Sequence, residues 1–145
     1  MAIASKLNHE GVRIYCLCGD GELQEGQIWE AAMTSSHYKL DNICVIVDNN
    51  NLQIDGKVNE VMSIYPLDEK FKSFGFEVIT IDGHNMEEII RAFNKAKEIK
   101  GKPTVIIAKT IKGKGVSYME NVASWHGKAP KEDEYKQALE ELNKK

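Results

Sequence analysis

The chain has 145 residues, of which 42% are hydrophobic and 28% charged, proportions that are ordinary for a folded domain in water. Its net charge of −3 and the lack of any dense run of Lys or Arg argue against a nucleic acid partner or an anionic membrane surface. The longest apolar runs are too short to span a bilayer, and residues 1–8 lack the apolar core of a signal peptide. We therefore expect one domain over residues 1–145, with no second domain, no membrane partner and a cytoplasmic location.

Two apolar, β-branched runs near the start of the chain predict buried strands, at residues 12–18 and 43–47. Between them, residues 22–38 have the length and composition of a crossover helix. Two parallel strands joined in this way end at the same edge of a sheet, so the residues that follow each strand are expected to lie side by side. That edge is where open α/β sheets bind ligands.

The rest of the chain continues the alternation of strand and helix. Residues 51–61 have little apolar periodicity and predict a loop over the ligand-binding edge. The later predicted elements are a helix over residues 67–74, a strand over 76–81, a helix capped by Asn85, a strand over 104–110 and a helix over 132–143. In the last helix, Tyr135 and Leu139 are expected to face inward. The fold class that follows is α/β, an open and mostly parallel sheet with helices on both faces.

Oxygen-bearing side chains follow both of the first two predicted strands. Asp20 offers a carboxylate and Asn50, thirty positions later, an amide oxygen, and both are ligands suited to Mg²⁺ or Ca²⁺. Gly19 and Gly21 keep side chains away, so backbone amides at the turn could approach a phosphate. The pattern predicts a diphosphate held through a metal ion. Two polar turns with conformational glycines are the alternative, and the spacing over one strand-helix-strand unit favours the metal site.

Three cysteines lie inside predicted strands. Cys16 and Cys18 are two positions apart and share one strand face, so they could bind a soft metal only if His or Cys ligands came from elsewhere. Buried, reduced, structural thiols are the preferred interpretation for both and for Cys44.

The motifs resemble those of thiamine diphosphate enzymes, whose signature is Gly-Asp-Gly followed one strand-helix-strand unit later by Asn-Asn. Within that superfamily the chain resembles transketolase, in the domain that binds the cofactor's diphosphate. The segments that carry the resemblance are Gly19-Asp20-Gly21-Glu22-Leu23-Gln24-Glu25-Gly26, Trp29-Glu30-Ala31, His37-Tyr38-Lys39-Leu40, Asp48-Asn49-Asn50, Ile54-Asp55-Gly56, residues 109–115 and residues 125–130. The likeness covers a minor part of a full transketolase, so an N-terminally truncated domain is expected.

The resemblance implies thiamine diphosphate and Mg²⁺, or Ca²⁺, as cofactors. By likeness to the family, the metal ligands are Asp20, Asn50 and the backbone carbonyl of Leu52. The residues that match cofactor-binding positions are Gly19, Asp20, Gly21, Glu22, Asp48, Asn50, Leu52 and His126.

Two further residues take catalytic roles by resemblance. Glu25 matches a family glutamate that hydrogen-bonds the partner's catalytic glutamate at the subunit interface; otherwise it is a solvated carboxylate in the first helical turn. His126 matches a histidine near the diphosphate and the substrate, which makes it the candidate for proton transfer; otherwise it is a surface residue.

The function implied is two-carbon ketol transfer between sugar phosphates. The chain resembles part of the N-terminal subunit of a split bacterial transketolase, so its expected partner is a pyrimidine-domain (C-terminal) subunit in a homo- or hetero-oligomer, and the isolated chain is expected to be inactive. Two alternatives remain open. One is another thiamine diphosphate enzyme, of the 2-oxo acid dehydrogenase or deoxyxylulose phosphate synthase type, and the other is a catalytically incomplete binding or assembly module.

Overall fold

A computed structural model describes residues 1–144. Its strands are β1 (Ile14–Gly19), β2 (Ile43–Asn49), β3 (Leu52–Gln53), β4 (Gly56–Lys57), β5 (Glu77–Asp82) and β6 (Thr104–Lys109). Four of them form a parallel sheet with the strand order β1-β2-β6-β5, and β3 and β4 form a second, antiparallel sheet. The main sheet confirms the predicted open parallel α/β fold.

Helices cover both faces of the main sheet, as the sequence predicted. The α-helices are α1 (Ala2–Leu7), α2 (Gly26–His37), α3 (Val58–Val61), α4 (Leu67–Ser73), α5 (Met86–Glu98) and α6 (Glu132–Asn143). Helices α2 and α4 pack on one face, where Phe71 is 1% exposed and contacts Trp29 and Phe76. Helix α5 packs on the other face through Ala92 and Ala96. Burial of large side chains such as Phe71 stabilises the fold by about 1.5–3 kcal/mol each.

The strand register brings the carboxyl ends of β1, β2 and β6 to one edge. Gly19 pairs with Asp48, and Asp48 pairs with Ala108. The backbone amide of Asp20 donates a 3.1 Å hydrogen bond to the carbonyl of Asp48, which extends the pairing one residue beyond β1. The two polar segments are therefore neighbours in space, as expected from the strand-helix-strand unit.

The predicted helix over residues 22–38 is wrong at its start. A 3-10 helix, Gly21–Gln24, comes first, Glu25 is extended, and α2 begins only at Gly26. Leu23 is fully buried and its carbonyl accepts a 2.9 Å hydrogen bond from the Trp29 indole, so this tight turn is anchored in the core. Gly26 is the first residue of α2, and apart from its chain neighbours and the backbone of its own helix, no atom of residues 1–144 lies within 4 Å of the position that its Cβ would take.

Residues 51–61, predicted as a loop, contain the β3–β4 hairpin and the short helix α3. Asn51 adopts a left-handed conformation with φ of 59°, which asparagine tolerates better than most residues, and its carbonyl accepts a 3.0 Å hydrogen bond from Val58. Val58 itself is fully buried. These contacts hold the hairpin against the sheet edge.

Two burial predictions are wrong. Cys16 is exposed, contrary to the prediction, whereas Cys18 and Cys44 are buried as predicted. In α6, Tyr135 is 53% and Leu139 41% exposed, because this helix is held by polar contacts such as the 2.7 Å bond from Ser117 Oγ to Glu141.

Within residues 1–144, no helix has the length and apolar character needed to cross a membrane.

Candidate functional site

A cleft of about 790 Å³ lies at the carboxyl edge of the main sheet. It is bounded by the turn after β1, the end of β2, the β3–β4 hairpin and the segment that carries Lys112 and His126. The cleft is lined by every residue that the sequence singled out for cofactor, metal or catalysis, namely Gly19, Asp20, Gly21, Glu22, Glu25, Asp48, Asn50, Leu52 and His126. The fold therefore gathers residues that are more than a hundred positions apart in sequence at one place, while their individual roles stay predictions.

Asp20 lies at the floor of this cleft and is only 1% exposed. Its Oδ1 atom accepts a 2.9 Å hydrogen bond from the amide of Gly21. Its Oδ2 atom accepts a 3.0 Å bond from the Asn49 side chain and a further bond from the amide of Asn51. The carboxylate is thus fixed in orientation by three N–H donors, two of which come from the segment that ends β2 and follows it.

The charge of Asp20 has no cationic counterpart in the described chain. No lysine or arginine among residues 1–144 forms an ion pair with it. Burial raises the pKa of Asp20 above its ordinary value, and the nearby Asp48 charge acts in the same direction, although the hydrogen bonds from Asn51, Asn49 and Gly21 lower it. A buried carboxylate without a cationic partner is the environment that a divalent cation would neutralise.

Asn50 and Leu52 line the same cleft as Asp20. The Asn50 Oδ1 atom accepts a 2.9 Å hydrogen bond from the Leu52 amide, which turns the chain sharply after β2. Because an amide oxygen has two lone pairs, this bond leaves one for another donor or a metal. The same turn contains Asn51, whose amide donates to Asp20.

The donor set fits a hard divalent cation. Among residues 1–144, no cluster of three or more His, Cys, Asp or Glu side chains has the geometry of a metal site. A cation in the cleft would instead combine the Asp20 carboxylate, the Asn50 amide oxygen and the Leu52 carbonyl, all of them oxygen ligands of the kind that Mg²⁺ and Ca²⁺ accept. So few protein ligands leave coordination positions for phosphate oxygens and water.

The amides of Gly19 and Gly21 form hydrogen bonds within the turn, and the predicted approach of backbone amides to a phosphate stays a prediction. The Gly19 amide donates a 2.5 Å hydrogen bond to Glu22 Oε2, and the Gly21 amide is bound to Asp20. At Gly21 a Cβ would lie 3.0 Å from the Cβ of Gln53, so the absence of a side chain lets the hairpin approach the turn. Glu22, a predicted cofactor contact, thus has a second task in closing the turn after β1.

Asp48 is held at the edge between β2 and β6. Its Oδ1 atom accepts a hydrogen bond from the Thr110 hydroxyl, so the position of the carboxylate depends on the end of β6. Asp48 also lines the cleft.

Glu25 and His126 lie at the rim and are both exposed. Extended backbone at Glu25 separates the 3-10 turn from α2. His126 follows a second 3-10 helix, Ala123–Trp125, and Trp125 anchors this segment by donating a 3.0 Å hydrogen bond to the carbonyl of Tyr118 and by contacting the Tyr118 ring. Both rim residues are accessible to a partner or a substrate.

Several residues that line the cleft were not predicted as site residues from the sequence. Gln24 Nε2 donates to Gln53 Oε1 at 2.5 Å and to the Met62 carbonyl at 2.9 Å, which ties the turn after β1 to the hairpin. Ile54, 69% exposed, stands at the tip of the hairpin in the cleft wall. The only sequence signal for these residues is their position within or beside the transketolase-like motifs, since a glutamine in a turn has no distinctive pattern.

A family model for the thiamine diphosphate binding domain of transketolase matches residues 3–144. One of the subunits of the apulose-4-phosphate transketolase from Phocaeicola vulgatus is 43% identical over 145 residues, which cover 100% of this chain and 52% of that protein. The 6-deoxy-6-sulfo-D-fructose transketolase subunit SqwG from a Clostridium species is 44% identical over 144 residues, which cover 99% of this chain and 52% of that protein.

The three-dimensional fold is shared with a transketolase of known structure. The crystal structure of transketolase from Campylobacter jejuni matches with a TM-score of 0.90 and 39% sequence identity, over 98% of this chain and 23% of that chain. The chain spans about half the length of the two curated relatives. The motifs, the cleft, the family model and the shared fold agree, and the chain belongs to the family of transketolase thiamine diphosphate-binding domains.

Proposed function

We propose that this chain is part of the N-terminal subunit of a split transketolase and supplies the half of the active site that holds the diphosphate and Mg²⁺ of the cofactor. The observation that carries the proposal is the buried Asp20 carboxylate, which lines the cleft, has no Lys or Arg ion-pair partner among the described residues 1–144 and is bonded to the turn that contains Asn50. The similarity to subunits named as parts of transketolases supports the same assignment.

In this proposal Asp20, Asn50 and the Leu52 carbonyl bind Mg²⁺, or Ca²⁺ in its place. Once bound, the cofactor supplies the electron sink that the cleavage of a carbon–carbon bond requires. The residues of the turn and the cleft wall, Gly19, Gly21, Glu22, Asp48 and His126, surround the diphosphate and thiazole portion. The observation that supports these assignments is that all five residues line the same cleft.

Two rim residues take the catalytic roles. Glu25, exposed at the start of α2, contacts a glutamate of the partner that activates the cofactor. His126, exposed on the segment anchored by Trp125, holds or transfers a proton at the oxygen of a sugar phosphate substrate. The reaction is the transfer of a two-carbon ketol unit from a ketose phosphate to an aldose phosphate.

The partner in this proposal is a pyrimidine-domain subunit. The two curated relatives are named as subunits, and this chain spans about half of their length. We therefore propose that residues 1–145 form one partial domain that completes its active site in an oligomer. A cytoplasmic location stays a prediction from the sequence.

Inorganic pyrophosphate tests this assignment because it isolates the half of the cofactor that the chain is proposed to hold. In calorimetry with Mg²⁺, pyrophosphate and thiamine diphosphate are expected to bind the 145-residue chain and to compete with each other. Thiamine, which lacks the diphosphate, is the matched control and is expected to show no binding. Pyrophosphate binding that is equally strong with and without Mg²⁺, or no binding at all, would overturn the proposed metal–diphosphate site.

A further inference from the structure

Two cysteines of the edge strand form a pair away from the cleft. Cys16 and Cys18 are on the same face of β1 and their sulfur atoms are 3.8 Å apart. Cys16 is exposed and Cys18 is 5% exposed, so one thiol is accessible and the other lies just behind it. The proposed transketolase function uses neither of them.

Both cysteines line an apolar pocket of about 80 Å³ between β1, β2 and α2. The pocket is lined by aliphatic and aromatic side chains, including Ile28, Ala32, Val45 and Phe71. Burial foremost, and then the neighbouring Cys16, raises the pKa of Cys18 to about 12. The apolar surroundings of the pair therefore favour an uncharged product over an ionic one.

The spacing suits one bridging atom better than a direct disulfide. A disulfide needs a bond of about 2.05 Å, and alternate residues of a strand lie about 6.6 Å apart, near the upper limit for disulfide-linked Cα atoms. Sulfur atoms 3.8 Å apart can both reach a single atom through bonds of about 2.3 Å, the length of a typical zinc–sulfur bond. Binding of one bridging atom therefore requires no change in the backbone of β1.

The number of ligands decides which atom fits. No third His, Cys, Asp or Glu completes a metal cluster among residues 1–144, so a tetrahedral zinc ion would lack half its protein ligands. Trivalent arsenic needs only three bonds, prefers sulfur because it is soft, and brings its own third substituent. The product with two thiols is uncharged, which matches the apolar pocket.

We propose that Cys16 and Cys18 form a dithiol site for small organic compounds of trivalent arsenic, with the organic substituent in the adjoining apolar pocket. With methylarsonous acid, two arsenic–oxygen bonds and two S–H bonds break, two arsenic–sulfur bonds form, and two water molecules leave. Arsenic stays trivalent, so neither an oxidant nor a reductant takes part. Attack begins at the exposed Cys16, and Cys18 closes the ring.

The test is intact-protein mass spectrometry of the reduced 145-residue chain after addition of methylarsonous acid. One methylarsenic adduct is expected, which excess glutathione leaves in place and a small dithiol removes. Cys16→Ser and Cys18→Ser are each expected to lose at least about 10-fold in retention against glutathione, because a single sulfur lacks the effective concentration of its neighbour. Cys44→Ser, which alters a buried thiol on the other face, is the matched control and is expected to retain the adduct.

Peptide mapping places the adduct independently of these variants. Arsenic on both Cys16 and Cys18 is the expected result. Should Cys18→Ser fail to fold, the Cys16→Ser variant decides, because its side chain is exposed. Retention against glutathione that survives in Cys16→Ser, or an adduct on Cys44, would overturn the dithiol site.

Discussion

Asp20→Ala is expected to lower Mg²⁺-dependent binding of thiamine diphosphate by at least about 100-fold, since even changes to groups that only support metal ligands cost about 10–100-fold. The carboxylate is the only charged ligand in the proposed set and the one most firmly oriented, with three N–H donors. Without it, the cleft keeps neutral oxygen ligands that hold a hydrated divalent cation poorly. Isothermal calorimetry with thiamine diphosphate, in the presence and absence of Mg²⁺, measures the loss.

Asp20→Ala also leaves buried N–H groups without an acceptor, each at a cost of about 1–3 kcal/mol, so a loss of binding could follow from a damaged turn. Asp20→Asn separates the two causes because it keeps the shape and one acceptor oxygen but removes the charge. Its single oxygen can still accept from Asn49 and Asn51, which leaves only the Gly21 amide unpaired, so Asp20→Asn is expected to lose less stability than Asp20→Ala and still to lose Mg²⁺-dependent binding. Asp68→Ala, on α4 and outside the cleft, is the matched control. An unchanged Mg²⁺-dependent affinity of Asp20→Asn for thiamine diphosphate would contradict the assignment of Asp20 as a metal ligand.

The largest effect on catalysis is expected from adding the proposed partner. The 145-residue chain alone is expected to show no detectable ketol transfer between sugar phosphates, because its cleft holds only the residues proposed for the diphosphate and the metal and is open at the rim where Glu25 and His126 are exposed. Activity is expected to appear when the chain is extended to the length of its subunit relatives and mixed with a pyrimidine-domain subunit. A coupled assay with a ketose phosphate donor and an aldose phosphate acceptor measures it.

The same mixture with Asp20→Asn is expected to stay inactive, and with Asp68→Ala to be as active as the wild type. These controls show whether the activity depends on the proposed metal site of this chain or comes from the added chains alone. Turnover by the unmixed 145-residue chain would contradict the need for a partner.

The local sequence pattern was sufficient to predict the strands and helices that position the candidate site. The two apolar runs, their crossover and the polar residues that follow each of them predicted which side chains would meet, and β1 and β2 end within two residues of the predicted bounds. Asn85 caps α5 as expected, accepting hydrogen bonds from the amides of Glu87 and Glu88. These features could be predicted because the contacts that determine them join residues close together in sequence, or because parallel strands joined by one crossover end at the same edge.

Features that depend on distant contacts could not be predicted. The break at Glu25 exists because Leu23 is buried and bonded to Trp29 before the helix can start, and the β3–β4 hairpin closes on Gln24 through Gln53. Whether Cys16 is buried depends on which other elements pack over its end of β1, since Cys18 on the same strand face is buried, and the alternation of apolar residues along one strand does not reveal this.

Crystals of the chain grown with Mn²⁺ and pyrophosphate provide the most direct test, because Mn²⁺ replaces Mg²⁺ at oxygen sites and is visible by anomalous scattering. The expected result is one strong peak in coordination contact with the Asp20 carboxylate, the Asn50 amide oxygen and the Leu52 carbonyl, with pyrophosphate oxygens on its open side. A peak that contacts neither Asp20 nor Asn50, or pyrophosphate bound in the cleft with no ion between it and Asp20, would contradict the shared metal site.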